Sequence, residues 1–213
     1  MSAQFLSITN VIVIGTCIIS FALMNNQEGK AALIFHPVTI RQNNQWYRFL
    51  TSGLIHGDVW HLLINMFVLW SFGNAVERLY YPYFLGENSG LLFLILYFGG
   101  VIVASVPSYL RHANDARYAA LGASGGVSAV VFAIILFAPW DNLYLYGVIA
   151  IPQILAGGAY LYYSWYQDKN GHDNIGHMAH FTGAIWGFAF TVLMNTQLFG
   201  RFVGLTLQGP DWG

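Results

Sequence analysis

An all-α bundle of six transmembrane helices is expected from three features of the 213-residue chain. Hydrophobic residues make up 56% of it and charged residues only 8%, where a soluble domain carries about 25%. Six apolar runs approach the roughly 20 residues that a helix needs to cross the hydrocarbon core. None of these runs alternates polar and apolar side chains over the roughly ten-residue segments of a membrane barrel. A water-soluble globule is thereby excluded. Disorder is excluded too, since 16 Phe, 13 Tyr and 7 Trp sit in the apolar runs, and a single Cys rules out an internal disulfide framework. With a net charge of −1 there is no broad basic surface, so membrane lipids are expected partners and nucleic acid is not.

The first run, 6–24, is read as a retained span, because no charged segment precedes it and no small-residue cleavage site follows. The second covers 55–76, with His56, Asp58 and His61 near the membrane interface at its start. Spans over 90–109, 121–137, 143–163 and 176–198 complete one membrane domain, 1–213. The connection from Asn25 to Leu54 is rich in aromatic and apolar residues and is expected to be a folded element in the interface. With six spans, the second, fourth and sixth run in the same direction, and their N-terminal thirds lie at one depth. The positive-inside rule places Lys30, Arg41, Arg48, Arg111, Arg117 and Lys169 on the cytoplasmic side, against Arg78 and Arg201 on the other.

The unusual polar residues fall in those three N-terminal thirds. In HGDVWHLLIN, His61 and Asn65 are four apart and share a helix face, while His56 belongs to the turn before it. Asp58 suits a helix start, where free N–H groups need acceptors. Two polar groups on an otherwise apolar transmembrane face point to a site. In LGASGGVSAV, the small residues Gly122, Ser124, Gly125 and Gly126 serve either close helix packing or an exposed nucleophile with open amide N–H groups. In GHMAHFTGAIWG, a small-residue stripe through Gly183 and Gly187 lets a neighbouring helix approach His180, while His172 and His177 lie nearer the connection. A serine hydroxyl needs a base, which His180 can supply. With no acidic residue in the last three runs, a Ser-His dyad is expected rather than a triad. His56, His61 and His180 could make a three-histidine zinc site, but there is no HExxH and the lone Cys17 lies in the first span, so neither metal nor cofactor is expected.

The full set of motifs resembles the rhomboid family of intramembrane serine proteases, bacterial type with a six-helix core, from QWYRFLTSGLIHGDVWHLLINMF through GASGG to AHFTGAIWG. The resemblance implies that Ser124 is the nucleophile and His180 the general base. It implies that His61, Asn65 and the Ser124 backbone N–H stabilise the oxyanion, with His56, Gly122, Gly125, Ser128 and Gly183 around them. Structural roles fall to Trp46, Arg48, Gly73, Glu77 and Gly187. The implied substrates are transmembrane proteins cleaved where their helices are locally unwound. The implied location is the bacterial inner membrane, with cytoplasmic termini and a site opening on the extracytoplasmic side, opposite to the charge count. A catalytically inactive, client-binding member of the family is the alternative. Two positions depart from the family pattern. Tyr81 stands where a glycine is common, and Ser128 stands where some bacterial members carry a tyrosine packed on the catalytic histidine. His180 is therefore expected to be oriented by local hydrogen bonds and by close packing along Gly183 and Gly187. The alternative is that Ser128 bonds a preceding helix carbonyl while another span supplies the aromatic contact.

Overall fold

The computed structural model describes residues 7–145, 148–170 and 176–210; Leu6 of the first expected span and His172 lie outside them. The chain is mostly helical. Helix α1 (Ile8–Leu23) begins at Ser7, whose side chain accepts the Asn10 N–H. Its other free donors are taken by Glu77, which accepts from the Ile8 N–H at 2.7 Å, the Thr9 N–H at 2.8 Å and the Thr9 hydroxyl at 2.7 Å. Glu77 lies in a π-helical turn, Val76–Tyr80, directly after α5 (Val59–Ala75), so the start of α1 is fixed to the end of α5. Gly73 makes room for this, since a Cβ there would lie 2.8 Å from the Thr9 methyl.

The connection between α1 and α5 folds into α2 (Gln27–Leu33), α3 (Pro37–Asn43) and α4 (Arg48–Thr51) over its own small core of Phe35, Ile40 and Phe49. Trp46 stacks on Phe49 and leans on Tyr109. Arg48 is buried, and its guanidinium donates to the Ala31 carbonyl at 2.7 Å, the Ile34 carbonyl at 2.8 Å and the Gln45 amide oxygen at 2.7 Å. Arg48→Ala leaves those carbonyls without their donor, at about 1–3 kcal/mol for each buried group. A lower thermal midpoint in detergent is expected, and an unchanged midpoint would remove Arg48 from this role.

After the short α6 (Tyr81–Leu85), α7 (Ser89–Arg111) runs to α8 (Ser124–Phe137), the central helix, in which every residue from Gly125 to Phe137 except Val131 is buried. Tyr81 is fully buried, edge-on to Phe137 and bonded to the Thr191 hydroxyl at 2.8 Å, so the larger residue is absorbed by the core. The path from Val59 to Arg111 is long and apolar enough to cross a membrane, and Ile8–Leu23 and Ser124–Phe137 are shorter apolar helices. On α5, Trp60, Ile64, Phe67 and Trp70 recur at helical spacing and are each more than half exposed, an apolar face of the kind that lipid covers.

The fifth apolar run departs from expectation. Instead of a helix over 143–163, it forms an antiparallel hairpin, β1 (Asn142–Leu145) and β2 (Ile149–Pro152), followed by α9 (Gln153–Asn170). Tyr144, Val148, Ile149 and Ile151 are strand formers by side-chain shape, and Pro152 is costly inside a helix but suits the position just before one. Apolar content alone did not separate the two. The sixth run is shortened as well: α10 (His177–Met194) stops at Asn195, and α11 (Gln197–Gln208) follows, held by Arg201 on the Phe137 carbonyl and by Trp140 on the Leu205 carbonyl.

Candidate active site

Ser124 opens α8, and the chain leading to it is held from three directions. Ala120 exchanges two backbone hydrogen bonds with Phe35, at 3.0 and 2.9 Å. The Gly122 N–H donates to the Ser52 carbonyl at 2.9 Å, and the Ala123 N–H donates to His56 Nε2 at 3.3 Å. The connection between α1 and α5, which Arg48 pins, therefore sets the position of the serine.

Because His56 Nε2 accepts, its proton resides on Nδ1, which faces Ser20 Oγ at 3.0 Å; Ser20 in turn donates to the Leu54 carbonyl at 3.0 Å. Both ring nitrogens of this buried histidine are thus engaged in structure. Its ring also meets His61 edge-on, with centroids 4.9 Å apart. His56 consequently braces the residue before Ser124 as well as His61, a double role that the spacing alone did not reveal.

Helix α5 is capped by Asp58, which accepts the His61 N–H at 2.9 Å. His61 lies beside Gly122, where φ is +120° and a Cβ would stand 2.7 Å from the imidazole Cε1. Only glycine meets both requirements without strain. Asn65 is buried one turn further on, and its amide nitrogen donates to the His61 carbonyl at 2.9 Å, leaving that nitrogen a second hydrogen.

On the opposite side, α10 meets α8 backbone to backbone. A Cβ on Gly183 would strike the Gly125 carbonyl, and one on Gly187 the Ala129 carbonyl. Equal steps of four residues along both helices mean that they run in parallel, with His180 one turn before Gly183 and level with the start of α8. Ser124, His180, His61 and Asn65 all line one cavity of about 890 Å³, which has α8 as its floor and residues of α5 and α9 as its walls. A second, much smaller cavity of about 60 Å³ lies behind Ser124 and is lined by Ser52, Ser105 and Ser108.

One residue was not anticipated. Tyr160 of α9 stacks on the His180 ring, with centroids 5.6 Å apart and planes at 23°, and its hydroxyl is 2.9 Å from Ser128 Oγ. Ser128 therefore pairs with a tyrosine rather than with a helix carbonyl, and the aromatic cover of His180 comes from a neighbouring helix. His177 meets the same imidazole edge-on at 5.9 Å. Asp168, the acidic residue of α9, pairs with Arg111 at 3.1 Å. Among the described residues, no three His, Cys, Asp or Glu side chains gather as a metal site.

The family profile described as Rhomboid domain matches residues 43–197. RHOMBOID-like protein 12, mitochondrial, of Arabidopsis thaliana is 29% identical over 158 residues, covering 67% of this chain and 45% of that protein. Rhomboid protease GluP of Bacillus subtilis is 28% identical over 163 residues, 74% of this chain and 28% of the relative. Rhomboid protease GlpG of an Enterobacter species is 29% identical over 131 residues, 60% of this chain and 41% of the relative. The matched region thus spans less than half the length of each of these three proteins.

Proposed function

The chain belongs to the rhomboid family, and is therefore an integral membrane protein; we propose that it is a serine endopeptidase that cleaves transmembrane proteins at locally unwound segments. The observation that carries this reading is the single cavity shared by Ser124, His180, His61 and Asn65. We read α1, α5, α7, α8, α9 and α10 as six spans of a bacterial inner membrane, with cytoplasmic termini and the cavity opening extracytoplasmically. The family resemblance supports that orientation, although the basic residues of the connections favour the reverse.

In this mechanism His180 takes the Ser124 hydroxyl proton as Oγ bonds to the scissile carbonyl carbon. The carbonyl π electrons move to oxygen, and the resulting oxyanion is met by the Ser124 N–H, Asn65 and His61. Donors of this kind are each worth about 2.7–4 kcal/mol in comparable acyl transfer. Collapse of the tetrahedral intermediate breaks the C–N bond, and His180 returns the proton to the leaving amine. Water then gives a proton to His180 as it attacks the acyl-enzyme, and that proton returns to Ser124 Oγ. The small serine-lined cavity is a polar store for such water beside the nucleophile. A substrate helix must unwind first, because its scissile carbonyl is otherwise engaged within the helix.

Purified protein in liposomes is expected to cleave a single-span substrate, and to do so equally after exhaustive chelation. Loss on chelation with recovery on adding zinc would replace the dyad by a metal mechanism. Folded wild type that binds such a substrate without cleaving it would establish the client-binding alternative.

A further inference from the structure

Tyr160 has no part in the chemistry above, yet the structure places it on the face of the general base. We propose that Tyr160, held by Ser128, is the positioning residue that fixes the orientation of His180. This proposal rests on the protease reading and adds to it a determinant on α9.

The geometry leaves little freedom to the imidazole. Its face lies on the Tyr160 ring at 5.6 Å and 23°, and His177 meets it edge-on. Tyr160 is itself anchored, because its hydroxyl reaches Ser128 at 2.9 Å. Ser128 stands one turn after Ser124 on the same helix face, so the helix that presents the nucleophile also holds the ring that aligns its base. One turn before Tyr160, α9 carries Gly157, where a Cβ would lie 3.3 Å from Phe132 Cζ and closer still to the end of Ile135. The glycine lets α9 come close enough to α8 for the tyrosine to reach both partners.

His180 must direct one nitrogen first to Ser124 Oγ and then to the leaving amine, so a tilted ring fails in both transfers. A catalytic group misplaced by about 1 Å can cost about a hundredfold in rate. Tyr160→Leu is accordingly expected to lower kcat by about a hundredfold with KM nearly unchanged. Tyr160→Phe keeps the stacked ring and should lose less than about tenfold, the value of one hydrogen bond. Ser128→Ala should match Tyr160→Phe, and the double variant should be no worse than either, because all three remove the same bond.

The experiment measures kcat and KM for cleavage of one transmembrane substrate in liposomes, with thermal unfolding as the folding control and fluorophosphonate labelling of Ser124 in parallel. Folded Tyr160→Leu within about tenfold of wild-type kcat, or Tyr160→Phe as impaired as Tyr160→Leu, would overturn the proposal. If Tyr160→Leu does not fold, the decision passes to Tyr160→Phe and Ser128→Ala, whose losses must be equal and non-additive. Additive losses would overturn it. Wild type that neither cleaves nor labels would instead overturn the protease reading itself, and this inference with it.

Discussion

Ser124→Ala and His180→Ala are each expected to abolish cleavage of a transmembrane substrate while leaving the helical content intact. Ser124 is the first residue of α8 and packs nothing that alanine cannot replace. The chain before it is held by backbone groups and by His56, so the local fold survives loss of the hydroxyl. His180 lies at the cavity wall, where truncation opens space without cutting the α8 to α10 contact at Gly183 and Gly187. In a serine protease the nucleophile and base act as a unit, and removing either costs on the order of a million-fold in kcat. Both variants should therefore fall below detection by similar margins, and the double variant should be no worse. If either one cleaves at the wild-type rate, the dyad is wrong.

Gly183→Val is the second change with a large expected effect. A Cβ at this position would collide with the Gly125 carbonyl, with the carbonyl carbon only 2.9 Å away and the Gly125 Cα at 3.0 Å. These are main-chain atoms of the most buried helix, so no side chain can swing aside, and the helices must separate. Overpacking of this kind costs about 1–3 kcal/mol or more. Since His180 lies one turn before the clash and Ser124 directly before Gly125, separation acts on the distance between the two reacting groups. A shift of about 1 Å is enough for a hundredfold loss of kcat. Steady-state cleavage beside a thermal-unfolding control tests this, and near-normal turnover in folded Gly183→Val would refute the account of close packing.

Much of this arrangement was legible in the residues. Glycines spaced by four in the last apolar run read as a stripe that lets a neighbouring helix come close, and Gly183 and Gly187 do meet the α8 backbone in that way. Asp58 before an apolar helix read as a cap and is one. What escaped detection has physical causes. Residues 143–152 are as apolar as a spanning helix, and hydrophobicity alone does not separate a short hairpin from a helical segment. Tyr160 lies in AYLYYSWY, among four further aromatic residues before the charged end of α9, and no periodicity distinguishes the ring that turns inward. Its role depends on how far apart α8 and α9 stand, a tertiary quantity. The two-sided engagement of His56 was hidden for the same reason, since Ser20 and Ala123 are remote from it in sequence.

The central claim is that His180 activates Ser124, and covalent labelling by a fluorophosphonate reads it without reference to any substrate. Attack by Ser124 Oγ on phosphorus expels fluoride and leaves a stable adduct that mass spectrometry can assign to one residue. The account predicts an adduct on Ser124 in wild type, none in Ser124→Ala, and none at matched time and concentration in folded His180→Ala. Equal labelling of wild type and His180→Ala, or an adduct confined to another serine such as Ser128, would contradict it.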